Sequence, residues 1–274
     1  MGLAELRLAD LRCLPAAELA LHPRFNLITG VNGEGKTSLL EAIYLLGRGR
    51  SFRTRHTEQL IRHSAPRLWV AGRTQPLETR GKPLSLAGTE ATEPGDSEVP
   101  PGRRIDLQCS RDSGVEARID GRAASSLVEL SEAFPVQVLD PGIHRLIEEG
   151  PLRRRHWLDW AMFHVEPAFL SSWQGYTRAL RQRNAALQGR TDPAPWEAEL
   201  TRLGELLSTA RAGLVSALQP VWQTMLETLD AVPATLGFYP GWSRQHGLAQ
   251  LLAQHRAGDR ELGRTRLGPH RFDI

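Results

Sequence analysis

The sequence predicts an α/β fold: a lobe with flanking antiparallel strands, into which a helical arm is inserted. Three observations carry that reading. Gly30-Val31-Asn32-Gly33-Glu34-Gly35-Lys36-Thr37 is a G-x-x-x-x-G-K-[ST] stretch, set between the apolar run Phe25-Asn26-Leu27-Ile28-Thr29 and a helix-forming run. Short apolar runs separated by turn residues recur up to Leu139. From residue 142 onward the apolar spacing changes to steps of three and four.

Taken in order, Leu3, Glu5 and Arg7 alternate with Ala4, Leu6 and Leu8, a strand pattern. Residues 17–21 and 25–29 read as a second and a third strand, the third leading into the glycine-rich loop. Residues 36–47 read as a helix with Leu39, Leu40, Ile43 and Leu46 on its apolar side. The stretch 47–55 is basic and irregular, and 68–72 is a strand. Residues 76–103, rich in proline, glycine, threonine and acids, read as a long flexible loop. Strands follow at 105–109 and 115–119, with Asp120-Gly121 as a hairpin turn signal. Residues 136–139 read as one more buried strand, stopped by Asp140-Pro141.

The arm opens at Pro151, a residue suited to the first turn of a helix. Trp157, Leu158, Ala161 and Met162 share one face, and Phe169, Trp173, Tyr176, Leu180 and Leu187 share the next. After a break at 189–195, Trp196, Leu200, Leu203, Leu207, Ala210, Leu214, Leu218 and Val221 mark a longer helix. This is the pattern of helices packed side by side. Gly204, Gly213 and Pro220 argue against a long rigid coiled coil. A strand at 234–239 and a helix at 246–255 complete the reading. The expected organisation is therefore a lobe over 1–140 with a β-rich subdomain, a helical arm over 141–232, and a segment over 233–274 that returns to the lobe.

Composition narrows the function classes. The chain has 274 residues, a net charge of +3 and a pI near 9.2, so it is no global polycation and the placement of its arginines matters more than their number. Two cysteines, Cys13 and Cys109, make neither a disulfide framework nor a metal site. A basic-then-apolar leader and an eighteen-residue apolar run are both missing, so a cytoplasmic protein with no membrane partner is expected. His144, His156, His164 and His270 lack zinc-ligand spacing. Asp159 and Glu166 read as helix-surface and packing groups.

The glycine-rich stretch names a ligand class. Glycines let the backbone curl so that successive N–H groups converge on phosphate oxygens, and a helix opening at Lys36 adds the positive end of its dipole. Lys36 suits the β- and γ-phosphates, and the Thr37 hydroxyl suits Mg2+. The chain holds 34 lysines and arginines, of which only Lys36 and Lys82 are lysines. A chain that otherwise uses arginine places a compact ammonium where such a loop needs one.

The run from Asn26 to Ile43 resembles the N-x-x-x-G-x-N-G-x-G-K-T-x-x-x-E-A-I entrance of the ABC-type ATPases related to SMC proteins. Gly49-Arg50-Ser51-Phe52-Arg53, Arg154-Arg155-His156-Trp157-Leu158-Asp159-Trp160, Phe163-His164-Val165-Glu166-Pro167, the run from Leu180 to Leu187, and Gly268-Pro269-His270-Arg271 resemble the RecF family, in that family's order. The resemblance implies a P-loop ABC-type, SMC-like ATPase lobe that binds ATP and Mg2+ through Gly30, Val31, Asn32, Gly33, Glu34, Gly35, Lys36, Thr37 and Ser38. It makes Gln137 a candidate sensor of Mg2+ and the γ-phosphate, and Arg12 a candidate phosphate contact.

It further implies binding to single-stranded and gapped duplex DNA, with Arg48, Arg50, Arg53 and Arg55 as candidate phosphate contacts. Arg153 to Arg155, and Arg178, Arg181 and Arg183, form further basic clusters. RecR as partner, RecO in the same pathway, and an ATP-dependent homodimer follow from the family. The implied role is to help load the recombinase at gaps during repair and replication restart. An SMC-like structural switch holding DNA ends is an alternative, and a P-loop phosphotransferase a more distant one. Family members continue past Gly-Pro-His-Arg to a signature segment and a Walker B strand. Neither is found here, so the 274-residue chain is expected to end before them and to hydrolyse ATP negligibly.

Overall fold

The structure, a computed structural model, describes residues 1–76 and 102–274. The loop expected at 76–103 lies outside these residues apart from its two ends. The described chain forms two compact units, one up to Asp140 and one over Pro141–Ile274.

In the first unit the described strands form one antiparallel sheet in the order β2-β1-β3-β4-β5-β6, with β1 Gly2–Leu11, β2 Leu14–Ala20, β3 Arg67–Gln75, β4 Arg104–Ser110, β5 Gly114–Ile119 and β6 Arg122–Ala123. In β4 the period-two rule places Ile105, Leu107 and Cys109 in the core. β1 departs from strict alternation. Its register against β3 shifts between Leu3 and Glu5, which brings Leu3 to the same buried side as Leu6 and Leu8. Asp120 and Gly121, at φ 52° and 81°, turn β5 into β6 with the two positive angles that an Asp-Gly hairpin favours.

Helix α1 (Lys36–Arg48) packs on this sheet through Ala42, Leu45 and Leu46, against Leu6, Val70, Ile105 and Leu107. Helix α2 (Leu127–Ala133) starts at Ser126, whose hydroxyl accepts the Glu129 N–H, while the Glu129 carboxylate accepts the Ser125 N–H at 2.8 Å. The Ser131 hydroxyl then ties α2 to the Gly47 carbonyl near the end of α1, at 3.1 Å.

Two expected strands of this unit are not formed. Residues 25–29 and 136–139 take no regular structure; Phe25 and Leu27 are 86% and 90% exposed, and Leu139 is 78% exposed. An apolar run becomes a strand only when a neighbour takes its backbone N–H and C=O groups, and among the described residues no strand pairs with either.

The second unit is helical, with α3 Arg145–Glu148, α4 Pro151–Val165, α5 Phe169–Gln188, α6 Ala194–Thr228, α7 Leu248–Gln254 and α8 Arg256–Leu262. Its core gathers Leu158, Met162, Phe169, Tyr176, Leu200, Leu203, Leu207, Leu214, Leu252 and Phe272. α6 runs unbroken through Gly204, Gly213 and Pro220. Residues 233–274, expected to return to the lobe, belong to this unit.

The strand expected at 234–239 is reduced to one bridge, Tyr239 with Asp273. α6 side chains capture its backbone instead: Trp222 Nε1 and Gln223 Nε2 donate to the Ala234 carbonyl at 3.0 and 2.8 Å, and the Leu236 N–H donates to the Gln219 side chain at 3.1 Å.

The second and third basic clusters are in part internal. Arg183, within the buried stripe of α5, is fully buried and donates to Glu197, to Asp259 at 2.9 Å and to Thr265 at 2.7 Å. Arg154 pairs with Asp273 at 2.7 Å. Arg211 is buried as well; it donates to Asp159 at 2.7 Å and lies 4.0 Å from the centre of the Phe272 ring. Among the described residues no helix is long and apolar enough to cross a membrane.

Candidate nucleotide-binding site

The loop between residue 29 and α1 owes its shape to glycine. Gly30, Gly33 and Gly35 have φ of 151°, 95° and 97°, angles that side chains with a Cβ resist. Gly35 meets a second demand: a Cβ there would stand 2.7 Å from Leu14 Cδ2 and 3.1 Å from Cys13 Sγ, so a larger residue would press on the turn between β1 and β2. The helix begins immediately after, at Lys36, with its first N–H groups facing the loop, and the Leu39 N–H donates to the Gly35 carbonyl at 3.0 Å.

The Lys36 ammonium folds back over the loop and donates to the carbonyls of Gly30 and Val31, at 2.8 Å each. The Glu34 carboxylate crosses the loop in the opposite sense and accepts the Val31 N–H at 2.8 Å. Val31, Asn32, Gly33, Glu34 and Thr37 are exposed, Gly35 and Lys36 are half-buried, and Ser38 is buried with its hydroxyl 4.0 Å from the Cys13 sulfur. Left-handed glycines, the Lys36 ammonium and a helix N-terminus form a donor set that fits a polyphosphate, and the exposed Thr37 hydroxyl could join a divalent cation.

Behind the loop lies a group that sequence reasoning did not single out. Glu41 is fully buried on the inner face of α1. Its carboxylate accepts from Arg12 Nε and Nη2 at 2.6 and 2.8 Å and from the Ser51 hydroxyl, with Arg53 at 3.9 Å. Burial opposes its ionisation most strongly, but the hydrogen bonds from Arg12 and Ser51 and the charges of Arg12 and Arg53 outweigh burial and hold the carboxyl below its ordinary range. A signal was available. Glu41 lies three residues after Ser38 and four before Leu45, on the helix face that turns inward, and a carboxylate there needs partners.

Arg12, a candidate phosphate contact from the sequence, thus has its guanidinium on Glu41. Of the candidate DNA contacts, Arg50, Arg53 and Arg55 are exposed, and Arg48 is half-buried 5.9 Å from the Tyr44 ring centre. Gln137 is exposed within the irregular stretch that follows α2.

A glycine-rich loop that opens a helix packed on a sheet is the arrangement of a P-loop lobe, and the match of residues 2–256 to the RecF/RecN/SMC N terminal domain family places it in the SMC-like ATPase class. The protein called DNA replication and repair protein RecF in Azotobacter vinelandii is 36% identical over 279 residues, spanning 100% of this chain and 71% of that protein. Its namesake in Pectobacterium atrosepticum is 37% identical over 278 residues, with 100% and 71% covered. The chain belongs to the RecF family. Among solved structures, the recombination mediator protein RecF-ATP of the RecFOR pathway matches with a TM-score of 0.75 at 22% identity, over 99% of this chain and 72% of that one. The RecF-ATPrS structure matches with a TM-score of 0.74. The fold is that of an ABC-type, SMC-like ATPase.

Proposed function

We propose that this chain binds ATP with Mg2+ on residues 30–38 and acts on DNA in recombinational repair and replication restart, helping to load the recombinase at single-strand gaps. One observation carries the reading: the Lys36 ammonium lies folded over a loop of left-handed glycines at the N-terminus of α1. The amides of Gly30 to Gly35 would surround the phosphates, Lys36 would neutralise the β- and γ-phosphates, the Thr37 hydroxyl would face Mg2+, and Ser38, whose hydroxyl lies by Cys13, would join through its backbone N–H. The names of the curated relatives and the RecF-ATP structure support the assignment.

Exposed Arg50, Arg53 and Arg55, with Arg48 beside them, are the proposed DNA contacts. They read phosphate and not sequence, so binding falls steeply with salt. Arg12 would turn to phosphate only by releasing Glu41, and Gln137 would act from the stretch after α2. RecR is the proposed protein partner, with an ATP-dependent homodimer for the full-length family, and the cytoplasm is the proposed compartment.

The test is equilibrium binding of a fluorescent ATP analogue, with Mg2+, to the 274-residue chain and to Lys36→Ala. Saturable binding by the parent and its loss in the variant are the expected result. Equal binding by both would end the reading.

A further inference from the structure

The loop carries its own anion. Glu34 is the one acidic residue between Gly30 and Thr37, and its carboxylate accepts the Val31 N–H at 2.8 Å. That N–H belongs to the Gly30–Val31 peptide, whose carbonyl at the other end accepts the Lys36 ammonium, also at 2.8 Å. One peptide group of the loop is thus held at both ends by charged side chains of opposite sign. Gly30 makes the arrangement possible, since a Cβ at that position would overlap the Glu34 carboxylate.

We propose that Glu34 is a built-in competitor of the triphosphate: its carboxylate holds the amide that a phosphate oxygen would take, and nucleotide binds only as that side chain swings out. The inference rests on the nucleotide reading of the loop. Two physical consequences follow from the geometry. A phosphate oxygen arriving at the Val31 N–H meets a group that makes the same charge-assisted hydrogen bond. The displaced carboxylate, tethered between Gly33 and Gly35, stays within a few ångströms of the incoming charge and repels it. Lys36 must likewise exchange two carbonyls for phosphate, but it gains an anion by doing so, whereas Glu34 gains none. Glu34 therefore sets the affinity, and Lys36 supplies it.

The measurement is binding of the ATP analogue and, separately, of inorganic tripolyphosphate to the parent chain, Glu34→Ala, Glu34→Gln and Lys36→Ala. Removing a nearby like charge and a competing acceptor is expected to tighten both ligands by about tenfold in Glu34→Ala. Glu34→Gln keeps an acceptor and loses the charge, so it falls between. Without ligand, hydrogen exchange at the Val31 amide speeds up in Glu34→Ala. A merely structural role predicts the opposite sign, weaker binding in Glu34→Ala, and that result would overturn the proposal. So would equal affinities for parent and Glu34→Ala with loss only in Lys36→Ala, an outcome that leaves the nucleotide reading intact. No binding by any of the four proteins removes both.

Discussion

The two units bury charge differently. In the first, the fully buried group is a carboxylate, Glu41, and the arginines that satisfy it reach in from outside: Arg12 and Arg53 keep 25% and 49% of their side-chain surface exposed. In the second, arginines are buried as well, Arg183 and Arg211 at 0% and 2%, and Arg183 meets the buried carboxylates Glu197 and Asp259, which Arg256 and Arg266 also reach from outside. The contrast separates two uses of ion pairs. Surface-reaching arginines can leave a buried carboxylate and be replaced by water. An arginine with no exposure cannot exchange its carboxylates for water, and by donating to both Glu197 and Asp259 it ties α5 to α6 and α8.

The sharpest way to break this contrast is to remove each central charge. Arg183→Met removes the buried charge that Glu197, Asp259 and Thr265 share, while Arg256 and Arg266 still reach the two carboxylates from the surface, so about 3 kcal/mol, the lower end for a broken buried pair, is expected. Glu41→Gln keeps a hydrogen-bond acceptor for Ser51, and its arginines can turn to solvent, so about 1–3 kcal/mol is expected. Denaturant unfolding of the two variants gives both numbers. Equal losses would mean that exposure of the partner does not decide the cost.

Acid sharpens the same comparison with a smaller effect. Burial pulls the pKa of His270 from 6.5 down to about 4, while its ring meets Tyr176 Oη at 2.7 Å and the Thr265 carbonyl at 3.2 Å. A histidine kept neutral on folding stabilises above its unfolded pKa, so this contribution is lost as pH falls from about 6.5 toward 4. Glu41, held below the ordinary carboxylate range, stabilises above its unfolded pKa and loses its contribution only in stronger acid. Unfolding followed from pH 8 downward should show the second unit weakening first, and His270→Gln should flatten that early loss. If the early loss survives the substitution, another group is responsible.

The smallest expected change is electrostatic. Replacing Arg50, Arg53 and Arg55 with alanine, one at a time, should lower the dependence of DNA affinity on salt by about one unit of log–log slope for each arginine that meets a phosphate. An unchanged slope in all three variants would move the DNA interface away from this surface.

Much of the fold was legible in the sequence because it is local. The glycine-rich loop, α1, the alternation in β4 and the Asp120-Gly121 turn each follow from neighbours within a few positions. The failures share one cause. Residues 25–29, 136–139 and 234–239 have strand-like composition, yet a strand exists only where another backbone supplies its hydrogen bonds, and composition does not name that partner. At the site, the loop residues were readable, but the cluster of Arg12, Glu41 and Ser51 was not, although Glu41 on an inward helix face was the clue.

The sequence alone determined where the candidate phosphate loop lies, because the conformational freedom of glycine and the charge of one lysine are properties of a short stretch of chain. Tertiary structure alone decided which charges are free to meet it. Whether an arginine faces solvent, a buried carboxylate or an aromatic ring depends on segments far away in the chain, and the balance between desolvation and pairing is set only when those segments pack together.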